Sequence, residues 1–333
     1  MSSKLLMLGL QGGGALGALT WGVLDRLLEE PDLRIESVSG ASAGAMNAVA
    51  LAHGWAVGGA SGARRALEDF WNAVSECAAI AQWPHDLQST APWMPSPGRF
   101  MLGWTRFFSP AQFNPLDINP LRTLVERQFD FARLRSASPM RVFVAATAVR
   151  SGALRVFAEH ELTPDHLLAS ACLPALHHAV TIDGEAHWDG GYTGNPPLFP
   201  LTDSGRAVDL LLVPLLPSMR AEVPTDVDGI RARLAEIHFN TTLLRELDAL
   251  AIAQRTAREH WWDLSARTRR LRRLRVHRID TNACVGALTL DHTLQAGSSF
   301  LRDLRDQGRA LAATWLRAPH EPRAPATLTP QPA

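Results

Sequence analysis

The chain has 333 residues, 33 basic side chains against 33 acidic ones, a formal net charge of zero and 46% hydrophobic residues. That length supports a full buried core, and the charge balance removes the long-range pull of a phosphate backbone, which excludes nucleic acid as the main partner. Cys77, Cys172 and Cys284 are odd in number and lack metal-ligand spacing, which excludes a disulfide framework or a thiolate zinc site and fits a cytoplasmic globular protein.

Leu5 to Leu24 is nearly uncharged and long enough to span a bilayer, but Gly12, Gly13 and Gly14 would break a membrane helix, and no convincing small-residue cleavage site is present. A strand, a loop and a helix are expected instead. The apolar run Leu5–Leu10 reads as a strand covered on both faces, Gln11–Gly14 as a turn, and Ala15–Glu29 as a helix carrying Leu16, Leu19, Val23, Leu24, Leu27 and Leu28 at helical spacing. Arg34–Ser39 gives a second strand, Gly40–Gly44 a tight turn, and Ala45–Ala52 a second helix ended near Gly54. Strand, helix, strand, helix points to parallel pairing in an α/β layer.

Residues 78–120 break this rhythm with alternating prolines and large aromatics, among them Trp83, Trp93, Trp104 and Phe108. Such rings suit either a lid meeting lipid or simple packing over the core. Arg141–Ala148 is expected as a third strand, Leu210–Leu216 as a fourth and Arg275–Ile279 as a last one. Residues 229–273 read as helical, with Leu234, Ile237, Leu243, Leu244, Leu247 and Leu250 as the buried stripe, and Ser299–Leu316 as a closing helix. The run Arg267, Arg269, Arg270, Arg272, Arg273, Arg275 and Arg278 suits a solvated helix face, with attraction of anionic headgroups as the alternative. Residues 319–333 hold five prolines and are expected to be disordered. The whole reads as one α/β domain over residues 1–318: three layers, a mostly parallel central sheet with helices on both faces, and a helical C-terminal part over 229–316.

Gly40-Ala41-Ser42-Ala43-Gly44 is a G-x-S-x-G between an expected strand and an expected helix. So sharp a turn requires small neighbours at Gly40 and Gly44 and leaves the Ser42 hydroxyl at a helix N-terminus, where partial positive charge favours an alkoxide or oxyanion. Gly12, Gly13 and Gly14, at the first strand-helix junction, can aim backbone N–H groups at the oxygen of a tetrahedral intermediate. A serine nucleophile needs a base. In Asp189-Gly190-Gly191 the two glycines allow close backbone approach and partial desolvation of the carboxylate, while the plain alternative is an Asp-Gly hairpin turn after Val180–Ile182.

Gln11–Gly17, Gly40–Gly44 and Asp189–Gly191, in this order and spacing, resemble the three blocks of the patatin-like phospholipase family, and Ala171-Cys172-Leu173-Pro174 resembles a further one. The match covers roughly residues 5–215. The resemblance implies an α/β acyl hydrolase without metal or other cofactor, acting on lipid or other ester substrates, with a candidate peripheral contact to membranes. It implies Ser42 as nucleophile, Asp189 as general base, Gly12, Gly13 and Gly14 as oxyanion-loop donors, and no catalytic histidine. Many members carry Arg or Lys where this chain has Leu16, so a basic contact to phosphate is not expected there.

Two rival functions share the same residues. Gly12, Gly14 and Gly17 satisfy G-x-G-x-x-G with Glu36 nineteen residues on, the signature of a dinucleotide-binding oxidoreductase; Glu36, however, opens the second strand rather than ending it, which is the wrong end for a ribose. A non-catalytic scaffold with the same fold is the other rival, against which the intact Ser42 and Asp189 speak.

Overall fold

The computed structural model describes residues 4–81, 109–203, 205–220, 222–286, 288 and 290–318. The expectations for residues 82–108, the centre of the proline-aromatic excursion, and for the tail 319–333 lie outside the described residues.

Among the described residues eight strands form one sheet: β1 (Lys4–Leu10), β2 (Leu33–Gly40), β3 (Arg141–Ala148), β4 (Leu154–Ala158), β5 (Val180–Ile182), β6 (Glu185–Asp189), β7 (Asp209–Val213) and β8 (Arg275–Arg278). The helices are α1 (Gly17–Leu27), α2 (Ala43–Ala81), α3 (Pro110–Phe113), α4 (Pro120–Gln128), α5 (Phe131–Ala137) and α6 (Pro164–Ser170). They continue with α7 (Phe199–Thr202), α8 (Val227–Glu259), α9 (Ala266–Arg273), α10 (Asn282–Val285) and α11 (Ser298–Arg317). No described helix is long and apolar enough to cross a membrane.

The central strands β3, β2, β1, β7 and β8 run parallel, and β4, β5 and β6 add antiparallel pairs at the β3 side. The period of two divides the core. Leu6, Leu8, Leu10, Leu211 and Val213 face the layer holding α1, α2 and α11, whereas Met7, Leu210 and Leu212 face Leu198, Leu201, Leu243 and Leu274 beneath α7, α8 and α9. This is the expected three-layer architecture, mostly parallel, with helices on both faces.

Register around β3 decides which strand ends meet. One edge of β3 is taken by β4 from Phe143 to Thr147. The other edge is shared: β2 pairs with its first half, ending with Gly40 opposite Val144, and β6 pairs with its second half, with Asp189 opposite Ala146. The two strands therefore meet head-on along one edge. The C-terminal end of β2 and the C-terminal end of β6 stand two β3 residues apart, although they are far apart in sequence.

Three expectations are corrected. The helix after Gly44 does not end near Gly54: it runs to a break at Gly58 and Gly59, the latter at φ 62°, and the chain returns as a second arm. Gly54 is the point where the arms touch, since a Cβ there would meet the Gly62 carbonyl oxygen at 2.5 Å, and Trp71 Nε1 donates to Asn47 Oδ1 across the hairpin at 3.0 Å. The stripe expected over 229–273 is wrong at its start, because Leu234 is 61% and Ile237 48% exposed; the buried positions of α8 are Glu236, Asn240, Leu243, Gln254 and Ala257. The helical stretch is also split by a turn into α8 and α9.

The closing helix α11 packs on α1 through backbone contact. A Cβ on Gly22 would overlap the Arg305 carbonyl, and one on Gly308 would overlap that of Leu19. Gly308→Val is expected to destabilise the protein by about 1–3 kcal/mol through forced separation of the two helices, read as a lower urea midpoint with an unchanged slope; an unchanged midpoint would refute the contact.

Candidate active site

Ser42 follows β2 and has φ 53°, a left-handed backbone that costs a serine about 1–2 kcal/mol unless its surroundings hold it. Those surroundings are specific. The Ser42 amide donates to both the main-chain oxygen (3.1 Å) and Oγ (3.0 Å) of Ser170, the last residue of α6, while the Ser42 carbonyl accepts from Met46 to begin α2. Added Cβ atoms on Gly40 and Gly44 would overlap, respectively, the Gly44 and the Leu10 backbone, so both flanks of the turn admit only glycine. The hydroxyl-bearing residue is half-buried at the N-terminus of a helix.

Asp189 ends β6 and is fully buried. Its amide donates to the Cys172 carbonyl at 2.8 Å, its own carbonyl accepts from Thr147 Oγ1 at 2.8 Å, and its Oδ1 accepts from the Gly191 amide at 2.7 Å. Oδ2 is buried with no partner in hydrogen-bond geometry among the described residues. Burial pushes the carboxyl up to about 7, opposed by the Gly191 amide and by the nearby Ser42 hydroxyl. The Ser42 side chain is thus near enough to act on the carboxylate without completing a bond to it.

The end of α6 and the Ala171–Pro174 segment that follows it link these two residues. Ser170 holds the serine turn and Cys172 holds the Asp189 backbone, while the Cys172 thiol donates to His178 O at 3.0 Å and is pushed up to about 12 by burial. Gly190 and Gly191 are required sterically: a Cβ on the first would overlap the Ala145 carbonyl, and one on the second would meet the Phe239 ring at 2.5 Å. The Asp-Gly hairpin turn, the plain alternative for Asp189, is made instead by Asp183-Gly184, with φ of 49° and 80°, between β5 and β6.

The glycine loop lies against the serine turn, a Cβ on Gly12 falling 2.9 Å from Ser42 Cβ. Its three amides differ. Gly12 donates to the buried Asn195 Oδ1 at 2.7 Å, whereas neither Gly13 nor Gly14 has a hydrogen-bond acceptor among the described residues. Gly13 is extended (φ 177°) and Gly14 left-handed (φ 58°), the change of direction that turns successive amides outward. Leu16 is buried in the core, so the position offers no side chain to a phosphate.

Four polar residues that sequence reasoning missed brace the site, three of them at this loop and Ser170 at the serine turn. Gln11 Oε1 accepts from the Leu215 and Leu216 amides at 2.7 and 3.0 Å, its Nε2 donates to Asn240 Oδ1 at 2.8 Å, and Asn240 Nδ2 donates to Pro217 O at 3.1 Å. Asn195 takes Gly12, and Ser170 takes Ser42. Nothing in their local pattern marks them, since each acts across a long separation in sequence.

The dinucleotide reading fails on geometry. Glu36 sits at the irregular step of β2 between Ile35 and Ser37, and its two carboxylate oxygens accept from the Arg206 and Ala207 amides at 2.7 and 2.8 Å, leading into β7. It serves the opposite edge of the sheet from Gly12–Gly17. Among the described residues no histidine is hydrogen-bonded to Ser42 or Asp189; His178 and His187 bond main-chain oxygens of Asn114 and Glu185.

The strand ends of this α/β sheet bring a left-handed serine, a buried carboxyl and a glycine loop to one rim. The family model of the patatin-like phospholipases matches residues 8–202, and the chain belongs to that family of hydrolases acting on lipid ester bonds. Among solved structures, VipD from Legionella pneumophila aligns at 15% identity over 92% of this chain and 67% of its own, with a TM-score of 0.38. Comparison with curated proteins gives no match.

Proposed function

We propose that this chain is a serine acyl hydrolase of lipid carboxylic esters, using a Ser42–Asp189 dyad and working as one unit over residues 1–318, cytoplasmic and meeting lipid surfaces peripherally. The reading rests above all on Asp189 Oδ2, a buried carboxylate oxygen with no hydrogen bond completed among the described residues, acted on by the hydroxyl of a left-handed serine. In the reaction, Ser42 Oγ attacks the ester carbonyl while Asp189 Oδ2 takes its proton, relieving the cost of a buried charge as the barrier is climbed. The tetrahedral oxyanion is received by the Gly13 and Gly14 amides. Gly12, already bonded to Asn195, braces the loop instead of donating. Protonated Asp189 then returns the proton to the leaving alcohol, and a water repeats the sequence to free the acid.

A carboxyl pushed up to about 7 sets the pH dependence. Only the ionised form can accept the serine proton, so activity rises as pH increases through about 7 and levels above it. A fluorophosphonate probe tests both points. Label is expected on Ser42 alone, by peptide mass spectrometry, at a rate that rises sigmoidally with a midpoint near 7; a label on another residue, or a flat rate across that range, would sink the proposal.

A further inference from the structure

The N-terminal edge of the sheet, opposite the catalytic rim, carries a cavity of about 620 Å³ lined by Arg206, Arg267, Arg269, Arg270 and Arg273, with Asp203 the one lining carboxylate among the described residues. Its two walls are the turn entering β7 and the helix α9. In a chain of zero net charge such a concentration is a local imbalance, and like charges at this range repel unless an anion joins them.

The internal counter-charges do not meet the demand. Arg267 pairs with Asp203 at 3.3 Å, but both side chains are mostly exposed, where such pairs contribute little. Glu36, just behind Gly205, acts on Arg270 through its charge but has both oxygens engaged by the Arg206 and Ala207 amides, so it is one carboxylate among five arginines and makes no pair with any of them. Arg270 is half-buried; its Nη2 donates to Leu201 O at 2.8 Å while its Nε is buried with no acceptor. The guanidinium groups of Arg206, Arg269 and Arg273 have no acceptor or carboxylate among the described residues. Planar guanidinium forks match the paired oxygens of a phosphate, and a volume of this order is that of a small-ligand site. A carboxylate would satisfy one or two of these groups, whereas a multiply charged phosphate can engage them together.

We propose that this cavity is a binding site for a phosphate-bearing ligand, held by Arg206, Arg269 and Arg273 with Arg270 at its base. The adjoining loop favours a lipid headgroup over a free phosphate as the source. Between α8 and α9 it presents Trp261, Trp262 and Leu264, respectively 71%, 62% and 68% exposed. Asp263 fastens that loop to α9 by accepting from Thr268 Oγ1 at 2.6 Å and from the Ser265 amide at 2.9 Å, and its main-chain oxygen accepts from Arg272. Tryptophans beside arginines suit the headgroup layer of an anionic membrane. The cavity is remote from hydrolysis: Gln254, which bonds the Leu271 and Leu274 carbonyls at the end of α9, stands about 20 Å along α8 from Asn240 at the glycine loop.

Two binding measurements on the full chain carrying Ser42→Ala, which removes any turnover of vesicle lipid, test the site independently of the dyad. One is calorimetric titration with inorganic pyrophosphate. The other is co-sedimentation with phosphatidylcholine vesicles containing phosphatidic acid, against phosphatidylcholine alone. Binding in at least one arm is expected, weakened about tenfold or more by combined Arg206→Gln, Arg269→Gln and Arg273→Gln. The exposed Arg269→Gln alone, expected to weaken it about threefold, serves if the triple variant does not fold. Vesicle binding lost in Trp261→Ala/Trp262→Ala with pyrophosphate binding kept assigns the lipid source; pyrophosphate binding without vesicle binding keeps the phosphate site and assigns a free ligand. Binding in neither arm, or binding that the arginine variants retain, overturns the proposal.

Discussion

Ser42→Ala is expected to lower turnover of short p-nitrophenyl esters by roughly four to six orders of magnitude, with circular dichroism and urea midpoint close to those of the parent. The hydroxyl is the one atom the change removes. The bonds that hold the turn, from the Ser42 amide to Ser170 and from the Met46 amide to the Ser42 carbonyl, belong to the backbone and survive it. Loss of activity with an intact fold therefore isolates the nucleophile. Undiminished turnover would place the chemistry elsewhere and leave the left-handed φ of 53° without a purpose.

Asp189→Asn is expected to cost nearly as much activity, about 10⁴-fold, and at the same time to make the protein more stable at mildly alkaline pH. The carboxyl has an ordinary value of 3.8 and a folded value of about 7, because burial disfavours its charged form. Below about 4 the folded and unfolded chains both hold the proton. As pH rises, the unfolded chain releases it first, and the folded state loses stability progressively until its own carboxyl ionises near 7; above that the loss is complete, on the order of a few kcal/mol. The asparagine oxygen can still accept from the Gly191 amide, so the fold keeps its bond while shedding the charge. Melting temperature measured against pH separates this from simple damage. The variant should exceed the parent well above pH 7 and approach it in mild acid, and a variant less stable than the parent at every pH would contradict the buried-charge account.

Much of this arrangement is legible in the sequence, for identifiable reasons. The buried strands β1, β2 and β3 are short apolar runs bounded by turn-forming residues, and they lie within a residue or so of the expected ranges. Gly40 and Gly44 flank a serine whose turn admits nothing larger, so that motif reports on backbone sterics directly. Asp189 is different: its local pattern taken alone favours a hairpin turn, it becomes the expected base only beside the serine and glycine-loop motifs, and the shared edge of β3 shows how β6 can meet β2.

The failures have a common cause. Leu234 and Ile237 are apolar at helical spacing yet face outward, because the inward face of α8 is occupied by Glu236, Asn240 and Gln254, polar residues that are buried with specific partners. Apolar periodicity cannot find a face chosen for hydrogen bonding. Gln11, Ser170 and Asn195 escape notice for the same reason, since their partners become neighbours only when the sheet is assembled. Gly54 misleads in another way, being a point of helix contact rather than a helix end.

The region that matches the family stops at residue 202, but the side chain that receives Gln11 and the ring that closes over Gly191 both come from α8, beyond that limit. A fragment severed at the boundary of kinship would retain every atom assigned to bond-making, yet its glycine hinge would be unfastened and its acidic residue opened to water. With solvent admitted, that acid would fall back toward ordinary strength and the hydroxyl would lose a competent proton acceptor. The glycine loop and the buried acid are thus held in part by a helix that lies outside the stretch the family model matches.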